Sequence, residues 1–246
     1  MPKPPAVAEY ALKYGALVRN LLKAHTPAKA MSQAIGGEFE AFGVLSRQIL
    51  VDHGLHPSSY LIDVGCGSGR LAHVLDVERY LGTDIVPELL KYARSICANQ
   101  VWRFELVRDI VIPEQDAAAD FVCFFSVFTH LLHEDSFRYL REARRVLKPA
   151  GKIVFTFLEF AIPSHWPIFA GAVQARERGA GKEHTQFISR DLIAAWAEHS
   201  DLTVKAIHDG NVPHIMPPHP ITLDDGKTIT GLTSLGQSVC IMRKSR

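Results

Sequence analysis

The sequence predicts an α/β protein built on a doubly wound, mostly parallel sheet. From Tyr60 onward, short apolar runs alternate with helical segments, each run separated from the next by about the length a crossover helix needs. The first run feeds a glycine-rich turn, "YLIDVGCGSGRLA" (Tyr60 to Ala72), at the strand end where such sheets hold their ligands. A chain of 246 residues with 47% apolar and 22% charged content is also long enough for one large core.

Ahead of the sheet, Ala11, Tyr14, Val18, Leu21 and Leu22 fall near helical spacing, as do Phe39, Phe42, Leu45 and Ile49 after Gly36 and Gly37. Two amphipathic helices are therefore expected over residues 1–58, capping a domain of residues 59–246 with which they form one structural unit. The strands are Tyr60 to Val64, Tyr80 to Thr83, Val101 to Leu106, Phe121 to Phe125 and Lys152 to Phe157. Intervening helices start near Gly69, Pro87 and Glu134, and "KPAGK" (Lys148 to Lys152) turns the chain into the fifth strand. Residues 158–187, rich in aromatics, Pro and Gly, read as a lid or substrate insertion. "SRDLIAAWAEH" then reads as a helix with Ser189 at its N-cap and Asp191 in its first turn. Two closing strands, "LTVKAIHD" and "GQSVCIMRK", flank a Pro-rich loop.

Lys and Arg (27) nearly balance Asp and Glu (26), so no long-range positive field gathers nucleic acid or an anionic membrane. That balance favours a small-molecule partner and is compatible with a homodimer. Cys66, Cys97, Cys123 and Cys240 lack metal-ligand spacing, which points to a reducing compartment. The N-terminal stretch has no uninterrupted apolar core, and no window approaches the roughly 20 apolar residues of a membrane span. A soluble, cytoplasmic protein is expected.

A dinucleotide fold asks for G-x-G-x-x-G, with the last glycine for close helix packing. Counted from Gly65, that last position is Arg70; glycine recurs instead at Gly65, Gly67 and Gly69, with Asp63 ahead of them. A carboxylate at the strand end suits a ligand carrying an ammonium and a sulfonium better than a polyanion. Asp84 ends the second strand roughly twenty residues beyond the loop, the distance that brings an acceptor beside a bound ribose. Ile85 is placed to lie against an adenine face. Asp109 follows the third strand and can accept from an adenine amino group, with Ile110 packing nearby.

The motifs "LIDVGCGSGRLA", "YLGTDIVPELLKYAR", "ADFVCFFSVFTHL" and "YLREARRVLKPAGKIVFTF" together resemble the class I S-adenosylmethionine-dependent methyltransferases, particularly the set acting on small molecules. The resemblance covers about Tyr60 to Phe157. It implies a Rossmann-like, seven-stranded sheet whose last strand runs antiparallel, and S-adenosylmethionine as cofactor. By position, it implies that the backbone around Gly65, Cys66 and Gly67 holds the methionine part, with Asp63 near its amino group. Asp84 would bind the ribose, Asp109 and Ile110 the adenine edge, and Ser126 would lie beside the methionine moiety. Ala150 departs from the family, which usually has a second glycine in that turn.

Methyl transfer from a sulfonium is an in-line displacement, so alignment in a dry pocket supplies most of the catalysis. An acceptor hydroxyl or ammonium still needs a base. His130, after the fourth strand, is the catalytic candidate, and some small-molecule members of the resembled family carry a histidine there. His133 reads as structural, while Glu159, His165 and His184 lie where they could reach substrate. Phe160, Trp166 and Phe169 form either a recognition lid or a plain apolar cover. His214 and His219 lack a third ligand, so no metal is expected. The expected activity is methylation of an oxygen or nitrogen on a small-molecule or glycan-like acceptor. The alternatives are a protein or nucleic-acid methyltransferase, or a non-catalytic S-adenosylmethionine-binding protein; "FFSVFTHL" lacks the [DN]-P-P-[FY] motif that grips a flipped base.

Overall fold

The computed structural model describes residues 6–97, 99–179 and 185–245. Its strands are β1 (Tyr60–Val64), β2 (Arg79–Asp84), β3 (Arg103–Leu106), β4 (Ala119–Phe124), β5 (Leu147–Phe157), β6 (Leu202–His208), β7 (Ile221–Thr222), β8 (Thr228–Ile229) and β9 (Ser238–Lys244). Seven of them form one sheet in the order β3-β2-β1-β4-β5-β9-β6. The β1–β2, β2–β3 and β4–β5 pairings are parallel, and β9 runs antiparallel to both of its neighbours. The fold is thus the seven-stranded, mostly parallel architecture expected, with its last strand reversed. The described residues group into two compact units.

The first unit comprises residues 1–113 and 215–233. Three helices precede its sheet, not two: α1 (Ala6–Ala24), α2 (Pro27–Ala34) and α3 (Phe39–Asp52). The middle one was hidden because Ala30 and Ala34, two of its three buried residues, carry little hydrophobic signal; Pro27 sets its start. All of β1 is buried, as parallel strands covered on both faces are. No α-helix follows the glycine loop; the chain makes only a 3-10 turn at Ala72–Val74. The space is already taken, since a side chain at Gly43 of α3 would strike the Arg70 carbonyl, and one at Gly69 would meet Ala93. Ala93 belongs to α4 (Pro87–Ile96), which starts on a proline, carries Glu88 in its first turn and buries Leu89, Leu90 and Ala93. The Pro-rich loop contributes the short antiparallel hairpin β7–β8.

The second unit comprises residues 114–214 and 234–246. In it α5 (His133–Val146) places Glu134 and Asp135 in its first turn and Arg144 and Arg145 in its last, both favourable to the helix dipole. The "KPAGK" segment is not a separate turn but part of β5. The β4–β5 register jumps between Ala119 and Phe121, which absorbs the extra residues as a bulge. The insertion contains the helix α6 (Trp166–Glu177), none of whose residues is buried. His184 lies outside the described residues. Helix α7 (Arg190–His199) starts after Ser189 as expected, and a hydrogen bond from Ser189 lowers the Asp191 carboxyl below its usual range.

Candidate active site

The first unit carries the glycine loop. Gly65, Gly67 and Gly69 all have positive φ, at 74°, 56° and 89°, a backbone that side-chain-bearing residues rarely adopt. The amides of Gly65 and Cys66 both donate to Thr83 O, at 2.8 and 2.9 Å, splicing the loop onto the end of β2. Asp84, the last residue of β2, is 8% exposed. Its Oδ2 accepts the Gly67 amide and its Oδ1 the Val86 amide, each at 2.9 Å. A carboxylate offers about four lone-pair sites, so acceptor capacity remains for a ligand's hydroxyls. Burial pushes the Asp84 carboxyl up to about 6, against the opposing pull of the Val86, Gly67 and Ile85 amides.

Asp63 is buried at the end of β1 and accepts the Tyr80 hydroxyl at 2.9 Å. The bare backbone of Gly82 makes room for this arrangement: a side chain there would start 2.8 Å from Cys66 Sγ and 2.9 Å from Tyr80 Oη. Burial, followed by the charges of Asp63 and Asp84, raises the Cys66 thiol far above its usual range, so its sulfur stays protonated and neutral. Burial lowers the Arg70 guanidinium to about 10 while the charge of Asp63 raises it. That guanidinium donates to Gly37 O at 2.9 Å and lies over the Phe42 ring, 5.6 Å from its centroid. The loop therefore combines two buried carboxylates with an arginine engaged elsewhere. A pyrophosphate would meet repulsion there, whereas an ammonium, a sulfonium and a pair of ribose hydroxyls fit the donor set.

Ile85 is half-buried against a cluster formed by Val18, Met31, Ala34, Val86 and Leu89, joined by Tyr14 and Ile35. Val107 donates its amide to Asp84 O at 3.0 Å, so the turn carrying Asp109 and Ile110 leaves from beside Asp84. Asp109 is exposed, with its carboxylate on the Ile110 amide at 2.7 Å, and Ile110 is buried. Asp63, Gly65, Cys66, Gly67, Gly69, Asp84 and Ile85 thus converge on one loop, with Asp109 and Ile110 at its margin.

In the second unit, Ser126 follows β4 with a φ of 58°. Its amide donates to Thr156 Oγ1 at 2.7 Å, its carbonyl accepts from Thr129 Oγ1 at 3.0 Å, and its hydroxyl accepts from Gln237 Nε2 at 3.1 Å. Two of these bonds hold a strained backbone of the kind concentrated at functional sites, and the third fixes the side chain. His130 sits half-buried in the turn between β4 and α5, its amide on Val127 O at 3.0 Å. The end of the insertion is bonded on either side of it in the chain. Gln186 donates its amide to Thr129 O at 2.8 Å, and His133 Nε2 donates to Phe187 O at 3.1 Å.

Phe187 stacks on Phe160 with ring centroids 4.4 Å apart, and Phe169 meets both edge-on. Trp166 joins them at 5.3 Å from Phe169 and, like Phe160, is 57% exposed. Glu159 and His165, two other candidates, are structural. Glu159 is 2% exposed and clamped by Arg190, both bonds at 2.8 Å, and by the Ser238 hydroxyl at 2.5 Å. His165 is fully buried, Nδ1 accepting the Glu159 amide at 3.0 Å and Nε2 donating to Gly236 O at 2.9 Å. His214 donates from Nδ1 to Val212 O and stacks on His208 at 4.6 Å.

Sequence reasoning missed Tyr80, Gly82, Ile35 and Met31, which act through contacts between distant segments. The alternation of glycines had no such difficulty, because its signal is local.

A family described as "Methyltransferase domain" matches residues 62–155. A malonyl-[acyl-carrier protein] O-methyltransferase from Serratia marcescens is 33% identical over 138 residues, covering 53% of this chain and 52% of that protein. A ubiquinone biosynthesis O-methyltransferase from Xanthomonas campestris is 26% identical over 159 residues, covering 61% and 65%. The chain therefore spans about half to two thirds of the length of these relatives. An S-adenosylmethionine-dependent methyltransferase from Anabaena variabilis has a crystal structure that covers 100% of this chain and 98% of its own, with a TM-score of 0.60 at 15% identity. Residues 62–155 thus match the methyltransferase-domain family, and the seven-stranded sheet with its reversed last strand has the fold of that crystal structure.

Proposed function

We propose that this protein transfers a methyl group from S-adenosylmethionine to an oxygen or nitrogen of a small-molecule or glycan-like acceptor. The observation that carries this reading is Asp84, a buried carboxylate held by the Gly67 and Val86 amides at 2.9 Å, where an acceptor is available to ribose hydroxyls. Gly65, Cys66, Gly67 and Gly69 supply a close-approach backbone for the methionine part, and Asp63 offsets its ammonium. Ile85 lies against the adenine face, and Asp109 and Ile110 receive its edge. The family resemblance assigns Ser126 to the methionine part. The bound cofactor supplies an activated methyl on a cationic sulfur with a good neutral leaving group.

The remaining work falls to the acceptor side. His130 removes the proton of an acceptor hydroxyl or ammonium as the displacement proceeds. The aromatic group of Phe160, Trp166, Phe169 and Phe187 excludes water from an apolar or ring-bearing acceptor. The two relatives described above are named as O-methyltransferases, which favours oxygen over nitrogen as the atom methylated. Incubation with S-adenosylmethionine and a panel of hydroxyl-, carboxylate- and amine-bearing small molecules, with RNA in parallel, tests the reading. S-adenosylhomocysteine should form with a small acceptor. Formation with RNA alone would move the acceptor to nucleic acid, and donor binding without turnover on any acceptor would favour a non-catalytic binder.

A further inference from the structure

The outer side of the glycine loop is closed by the corner between α2 and α3. Ile35 stands against Gly67, its Cγ2 2.9 Å from where a side chain would start. Ser68 Oγ donates to Met31 O at 3.1 Å, and Arg70 Nη1 to Gly37 O at 2.9 Å. Met31 and Ile35 also belong to the apolar group that covers Ile85. The corner itself is an unfavourable piece of backbone: Gly36, Gly37 and Glu38 have φ of 90°, 78° and 52° in succession. Glu38 has a side chain, and so adopts this conformation against its own preference.

What fixes the corner comes from far along the chain. The Glu38 amide donates to Asp224 Oδ2 at 2.8 Å, and the Asp224 amide donates to Glu38 Oε2 at 2.9 Å, across 186 residues of sequence. Asp224 sits in the turn of the β7–β8 hairpin, closed by the Leu223 amide on Lys227 O at 2.8 Å. This reciprocal pair satisfies two backbone amides with two carboxylates, at the residue whose φ most needs support.

We infer that the β7–β8 hairpin is a brace for the donor site, and that Asp224, Glu38 and Arg70 are positioning residues that set donor affinity without touching the donor. The inference rests on reading the loop around Gly67 and Asp84 as the donor site. Release of the corner withdraws Ile35 from Gly67, whose amide is one of the two on Asp84, and loosens the cover over Ile85. Both changes admit water to Asp84 and raise the ordering cost of binding.

The test compares Asp224→Ala with Asp224→Asn, whose side-chain oxygen still accepts from the Glu38 amide. Asp225→Ala is the control, since the Asp225 carboxylate is on Lys227, at 2.6 Å from its Nζ. In the full chain, Asp224→Ala should raise both the S-adenosylhomocysteine Kd and the donor KM about tenfold, the lower end of the effect of one hydrogen bond to a charged acceptor. kcat should stay within about twofold, Asp224→Asn should recover most of the loss, and Asp225→Ala should match wild type. Wild-type affinity in Asp224→Ala overturns the brace, as does an equal loss in the Ala and Asn variants that tracks a fall in Tm. Failure of the wild-type chain to bind S-adenosylhomocysteine overturns the donor reading itself, and the brace with it.

Discussion

Asp84→Ala is expected to weaken S-adenosylhomocysteine binding by about a hundredfold while leaving a folded protein. The carboxylate is 8% exposed, and its replacement removes a charged acceptor for two ribose hydroxyls. A hydrogen bond to a charged group contributes about 1.5–3 kcal/mol, so two of them amount to about 3 kcal/mol or more, or two decades in Kd. The amides of Gly67 and Val86 also lose their acceptor, which loosens the loop. Titration calorimetry of both proteins checks this, and an unchanged Kd would mean that the ribose lies elsewhere. The same group sets a pH dependence. Hydroxyl donors favour the ionised carboxylate, and its pKa is raised to about 6 by burial. Affinity in the wild-type protein should therefore fall about tenfold between pH 7 and pH 5, and this slope should vanish in the variant. Ligand-free stability runs the other way. Because the folded pKa lies above the ordinary value of 3.8, the contribution of Asp84 is fully present below about pH 4 and is lost as pH rises through about 6.

His130→Ala is expected to cut turnover by a factor of about 10²–10⁴, the range for removing a general base, with S-adenosylhomocysteine affinity unchanged. Added imidazole should restore part of the activity, which repair of a packing defect would not do. Single-turnover rates with and without imidazole decide it. Undiminished turnover in the variant would leave His130 a half-buried turn residue with no part in the chemistry.

Local signals were the legible ones. The glycines at 65, 67 and 69 announced their positive φ because few other residues tolerate it, and the spacing from them placed Asp84 at the end of β2. Alternation of strands and helices gave the sheet. Helix α2 escaped because alanines bury little area, and the helix expected at Gly69 failed because α3 and α4 occupy its place. Neither fact is visible in a window of neighbouring residues. The same limit applied to Glu159 and His165, which look like reactive side chains in sequence and are consumed by Arg190, Ser238 and Gly236 in the fold. The pairing of Glu38 with Asp224 is the extreme case, since each half lies in an unremarkable polar loop.

The central claim is that the glycine loop receives a cationic amino-acid nucleoside and not a dinucleotide. Calorimetric titration of the full chain with S-adenosylmethionine, S-adenosylhomocysteine and NAD tests it most directly. Both sulfur ligands should bind and NAD should give no heat of binding; NAD binding with neither sulfur ligand would contradict the account.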